Sequence, residues 1–202
     1  DRRYAQGRQR PLDGLAIGVK DLIDTQGIET SYGSAAYLGH LPDADADVVR
    51  ALIERGAIPV GKTATHEFAW GVTTASATFG DTLNPLDRTR IPGGSSGGAA
   101  AAIACGAVAA GLGTDTGGSV RIPAALCGVV GFKPSRGRVS IGPDFGDLGG
   151  GAAGDGPIAR SVLDAALAPD AISGYEAGDH HWLAPPARTF VESTREPLDE
   201  IG

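Results

Sequence analysis

Apolar positions along this chain come in short runs broken by glycine-rich turns rather than in long periodic stretches. Leu12–Lys20, LDGLAIGVK, follows Pro11 and reads as a buried strand ending at Lys20 and Asp21. Asp21–Ser34 is a polar loop with turn residues. Val48, Val49, Leu52 and Ile53 recur at i, i+1, i+4 and i+5, which predicts an amphipathic helix over Ala46–Arg55. Asp43, Asp45 and Asp47 suit its positive end, Gly56 its C′ position, and Ala57–Val60 a strand after it. Val72–Pro92 is a turn-rich connection with a turn at Asn84-Pro85. Ala99–Ala110 reads as a small-residue helix, Gly111–Asp115 as a return strand and Thr116-Gly117-Gly118 as a tight loop leading to Ser119. Val120–Leu126, with an early Pro123, starts a helix, and Pro157–Ala168 reads as an amphipathic helix with proline in its first turn. Ser173–Gly202 has the composition of a surface connection. Strands alternating with helices predict an α/β fold, a mixed β-sheet core covered by helices, as one domain over residues 1–202.

At 202 residues and 42% hydrophobic, the chain can bury one substantial core. A net charge of −7 argues against nucleic-acid or anionic-membrane partners. Cys105 and Cys127 lie among alanines and apolar residues, read as small buried hydrophobes, and are too few for a disulfide scaffold. A cytoplasmic protein is expected. The chain holds no methionine and opens on charged residues, which suggests a fragment or a processed chain.

Chemistry concentrates in Pro92–Ser119, where a serine pair set in glycines and a lone serine after two glycines flank an apolar segment. Glycines this dense let backbone turn sharply and bring N–H groups close to a ligand. A hydroxyl beside such donors is what acyl transfer requires; the plainer alternative is two surface turns around a core helix. Three other motifs compete. Gly56–Thr63, GAIPVGKT, satisfies the phosphate-loop pattern, but a helix precedes it and Pro59 lacks an N–H. Gly93–Gly97 satisfies the GxSxG nucleophile elbow of an esterase using Ser95, but no hydrophobic strand leads into it. Gly149–Gly154 matches GxGxxG without a preceding strand and reads as loop. His66-Glu67 has no second histidine four residues on, so no metal site is expected.

Taken together, GGSSGGAAA and LGTDTGGSVRIPAALCGVVGFKP resemble the amidase signature enzymes, Ser-Ser-Lys amide hydrolases. The likeness runs from about Pro11 to Pro186 and is densest between Gly61 and Ser140, although Ser140–Gly156 keeps the family wording only loosely. The resemblance implies an amidase signature fold that is incomplete at both ends, with the C-terminal half beyond residues 173–202. It implies Ser119 as nucleophile, Ser95 as a bridging serine after a cis peptide bond, and Lys20 as general base, which requires a neutral, buried lysine. It also implies oxyanion donors in the N–H groups of Thr116, Gly117, Gly118 and Ser119, with Ser96, Asp115 and Arg121 in support. A serine hydrolase acting on a small-molecule amide needs no metal or organic cofactor, and a homo-oligomer is left open. The family's ammonia-supplying subunits typically carry glutamine where this chain has Ile122, which favours a free-standing amidase. The alternative from another class is a catalytically inactive fragment or binding remnant.

Overall fold

Short apolar runs make short strands, and five of them join in one mixed sheet. The computed structural model describes residues 2–196. In chain order the elements are α1 (Arg2–Ala5), β1 (Ala16–Lys20), α2 (Asp47–Glu54), β2 (Ile58–Thr63), α3 (Gly97–Ala104), β3 (Ala110–Asp115), α4 (Arg121–Cys127), β4 (Val130–Gly131), β5 (Gly154–Ala159), α5 (Val162–Ile172) and α6 (Phe190–Ser193). The sheet order is β2-β1-β3-β5-β4. β1 lies parallel to both β2 and β3, whereas β5 runs antiparallel to β3 and β4. The parallel pairs put the C-terminal ends of β1 and β3 at one end of the sheet, where the antiparallel β5 begins.

The sheet is covered by helices, and the buried apolar residues divide into two clusters. Ile17, Val19 and Leu112 pack with Val48, Val49 and Leu52 of α2 and Ala165 and Ile172 of α5. Ile158 packs with Ala99 and Ile103 of α3 and Val120 and Ala124 of α4. Ile158 and its neighbour Ala159 fall in different clusters, as the period of two in a strand requires. Among the described residues no helix is long and apolar enough to cross a membrane.

Most expected elements are present, with differences that have local causes. Leu12–Leu15 is a turn and extended lead-in, so β1 is only the last part of the expected strand. α2 covers the expected span, with Arg55 as C-cap and Gly56 at φ 106° after it. α3 stops at Ala104, short of the expected Ala110, because Gly106 turns left-handed at φ 79° and the Ala107 N–H closes back on Ala102 O at 2.8 Å. Cys105 at that cap is exposed, contrary to the expected burial, while Cys127 is buried.

The helix expected over Pro157–Ala168 is a strand and then a helix. Pro157 lies in β5 opposite Leu112, and α5 begins only after Ser161, whose hydroxyl accepts the Asp164 N–H at 3.1 Å. Phe132 N–H donates to Pro157 O at 3.0 Å, but proline has no N–H to return, and β4 pairing stops at Gly131. The expected surface connection from Ser173 is largely irregular but contains α6, closed by a capping box between Thr189 and Glu192. Residues 197–202 of that connection lie outside the described residues.

Candidate active site

Lys20 ends β1 and is completely buried. Its Nζ donates to Ser95 Oγ at 2.6 Å and to Thr114 Oγ1 at 2.7 Å. Burial pushes the amine down to about 7, against the opposing pull of Asp155 and Asp115. A substantial share of Lys20 is therefore neutral near neutral pH.

Ser95 reaches this amine from a sharply folded loop. The Gly94–Ser95 peptide bond is cis. A Cβ on Gly94 would stand 2.8 Å from Thr73 N, so only glycine fits against that backbone. Thr74 holds the turn: its hydroxyl donates to Gly93 O at 2.8 Å and accepts the Gly97 N–H at 3.1 Å. His66 N–H donates to Ser95 O at 3.1 Å. Ser95 and Ser96 are both fully buried.

Ser119 is nearly buried and sits beside this loop, its carbonyl accepting the Ser96 N–H at 3.1 Å. Ser96 Oγ in turn donates to Thr114 O at 3.3 Å. The Thr116–Ser119 turn is shaped by Asp115, whose carboxylate accepts N–H groups from Gly118 (2.8 Å) and Val120 (3.1 Å). Arg121 closes the ring with Nε at 3.0 Å and Nη2 at 2.9 Å from the same carboxylate. Burial raises the Asp115 pKa, but the guanidinium and the N–H donors outweigh it and hold the group below its ordinary value. The Gly118 N–H expected at the oxyanion is thus committed to Asp115, whereas those of Thr116, Gly117 and Ser119 have no hydrogen bond to the described residues.

The competing motifs are not built. Ile58–Thr63 is an extended strand beside β1 rather than a phosphate cradle. Lys62 is turned into the loop after β1, donating to Ile23 O, to Thr25 Oγ1 at 3.1 Å and to Thr30 Oγ1 at 3.0 Å. No strand leads into Gly93–Gly97, and a fully buried Ser95 is not the exposed serine of a nucleophile elbow. His66 shares a 3.1 Å contact with Thr73 Oγ1 through Nδ1, and the described residues contain no metal-holding group of His, Cys, Asp or Glu.

The family sequence model described as Amidase matches residues 1–201. The chain belongs to the amidase family. A relative from Chloroflexus aurantiacus, named as a glutamyl-tRNA(Gln) amidotransferase subunit, is 48% identical over 182 residues, covering 89% of this chain and 37% of the relative. Among solved structures, 6-aminohexanoate cyclic dimer hydrolase complexed with substrate matches at a TM-score of 0.89 and 36% identity, covering 98% of this chain and 42% of that one. The native peptide amidase of Stenotrophomonas maltophilia matches at 0.85 and 39%, covering 94% and 40%. The chain thus spans about two fifths of the length of these amidase-family proteins.

Sequence reasoning misses two residues of this amidase-family site. Thr114 reads only as strand, although its hydroxyl is the second partner of Lys20. Asp155, buried at the start of β5, falls between the loop read over Gly149–Gly154 and the helix read from Pro157; an acid inside the run GDGPIA is the available signal.

Proposed function

We propose that this chain hydrolyses a small carboxylic amide through an acyl-enzyme on Ser119, with Ser95 as proton bridge and Lys20 as general base. The observation that carries the proposal is the 2.6 Å contact between a fully buried Lys20 amine and Ser95 Oγ. A serine hydroxyl is a weak nucleophile until its proton is withdrawn. The neutral amine takes the Ser95 proton as Ser95 takes that of Ser119, and Ser119 Oγ attacks the amide carbon. The free N–H groups of Thr116, Gly117 and Ser119 face the developing oxyanion, a donor set in which one loss costs about 3–4 kcal/mol of barrier. The proton returns through Ser95 to the leaving nitrogen as the C–N bond breaks, and water repeats the cycle on the ester. Amidase-family membership and hydrolase structures supply independent support.

A second reading, the amide-cleaving part of an amidotransferase, is favoured by the names of the curated relatives. Glutaminase activity that rises on adding partner subunits would mark it, against turnover of simple amides by the chain alone.

Intact-mass analysis after exposure to a fluorophosphonate tests the nucleophile in wild type, Ser95→Ala and Ser119→Ala. A single adduct lost only in Ser119→Ala, with amide turnover abolished in the same variant, is the expected result. An adduct lost only in Ser95→Ala would transfer the nucleophile to Ser95. No adduct in any protein would put the inactive remnant in place of the enzyme.

A further inference from the structure

Asp155 is a buried carboxyl that neither the serine relay nor the ring around Asp115 uses. In the sheet its cross-strand partner is Thr114 of β3. Directly opposed residues of antiparallel strands share a face, with Cβ atoms about 5 Å apart. Thr114 Oγ1 is the atom that Lys20 Nζ reaches at 2.7 Å, so the register makes Asp155 the cross-strand neighbour of the residue that holds the amine.

On β2 the register partner of Lys20 is the neutral Thr63. The loop before α3 offers the neutral Ser95, and β3 offers the neutral Thr114 and the charged Asp115. Asp115 is already neutralised by the Arg121 guanidinium and three N–H donors. β5 offers Asp155, whose surroundings provide burial and the charge of Lys20 but no hydrogen-bond donor among the described residues. Of the two acids that pull on the amine, it is the one without a cationic partner of its own among those residues.

We propose that Asp155 is a positioning residue whose carboxylate acts as the counter-charge for Lys20 when the amine takes up the relayed proton. The inference rests on Lys20 being the base. In the forward step the Ser119 and Ser95 O–H bonds break, a new O–H forms on Ser95 and a new N–H forms on Lys20. No electron leaves the system, and a neutral amine becomes an ammonium in a fully buried position. A carboxylate beside it turns that step into formation of an ion pair, so the proton is held strongly enough to complete the attack. The reverse transfer to Ser95 restores the amine when the leaving nitrogen is protonated. Both members carry the mark of this coupling: burial pushes Asp155 up to about 7 against the pull of Lys20, and Asp155 is the largest force opposing the fall of Lys20.

The test is Asp155→Asn in the full chain, read as the pH dependence of kcat/KM for amide hydrolysis. Without the carboxylate the ammonium is less stable, so the acid limb is expected to move about 1–3 pH units lower. The plateau rate is expected to fall at least tenfold, because a weaker base drives the relay less. An acid limb that stays in place, in a variant that folds and turns over, overturns the proposal. Carbon-13 NMR of the aspartate carboxyls keeps the question open to experiment if Asp155→Asn does not fold. In Lys20→Met the Asp155 titration is expected to move to higher pH, and an unmoved titration overturns the proposal. This second measurement needs no turnover, so it is separable from failure of the amidase assignment, which would show instead as wild-type activity surviving in Lys20→Ala.

Discussion

Replacing Lys20 by methionine should abolish amide turnover and change how stability depends on pH. Burial lowers the folded-state value from 10.5 to about 7. At about 1.4 kcal/mol per tenfold change in proton affinity, this is a penalty of about 5 kcal/mol on the folded state. The sign follows from proton counting. Between pH 7 and 10.5 the unfolded lysine holds a proton that the folded one has lost, so stability rises with pH across that window. The penalty is fully present below the folded value and gone above the unfolded one. Methionine fills a similar volume without the charge and has no such dependence. The stability of Lys20→Met relative to wild type should therefore drop by about 3 kcal/mol between about pH 6.5 and about pH 9.5. Asp155 pushes the same way: deprived of Lys20 its folded value rises further, and its own penalty then grows to higher pH. Orphaning the Ser95 and Thr114 hydroxyls costs about 1–3 kcal/mol each, but at every pH alike. Urea unfolding of both proteins at the two pH values measures the difference directly. A difference that does not change with pH would mean that Lys20 is charged in the folded state, and the buried-base argument would fail with it.

Asp115→Asn removes the charge that gathers the Thr116–Ser119 turn and should lower kcat about 100-fold with a smaller change in KM; steady-state kinetics on a simple amide decide it, and an unchanged kcat would separate the Asp115 ring from catalysis. Its stability cost should be about 1–3 kcal/mol at neutral pH. Because the folded Asp115 value lies below the unfolded one, that cost should vanish as pH falls through the folded value, which acid titration of both proteins would show. Gly94→Ala places a methyl 2.8 Å from the Thr73 backbone nitrogen and should destabilise by about 2 kcal/mol or more while blocking acylation; a thermal melt with fluorophosphonate labelling reads both, and a normally labelled variant would show that the loop can give way.

How far the sequence reaches depends on how local the signal is. α2 is legible because Val48, Val49 and Leu52 all point one way from a single helix and bury against the sheet. The serine loops are legible because their glycines are needed by the backbone itself, as at Gly94. The apolar run places Lys20 at a strand end, but its burial depends on the loop before α3, 75 residues away, closing over it. β5 escapes for the opposite reason: GDGPIA contains two glycines and a proline, all poor strand formers, and becomes a strand only because β3 and β4 pair with it. With β5 unread, the position of Asp155 opposite Thr114 stays hidden, since cross-strand neighbours carry no signature in either segment alone.

The abundance of small residues in α3 and β3 has a mechanical role that composition alone conceals. A Cβ on Gly111 would come within 3.1 Å of Ala99 Cβ, and one on Gly113 within 2.7 Å of Ser96 Oγ. Strand and helix therefore approach to a separation that ordinary side chains would prevent, at the entropic disadvantage glycine brings to a strand. That close approach places the Ser96 N–H on Ser119 O and the Ser96 hydroxyl on Thr114 O, joining the two serine loops through backbone rather than through long, mobile side chains. It also closes protein around the completely buried Lys20 amine, whose hydrogen bonds among the described residues go to Ser95 and Thr114. Burial is the main cause that lowers the Lys20 pKa, which is the direction the proposed base requires, so close packing in this segment bears on proton affinity as well as on the serine loops.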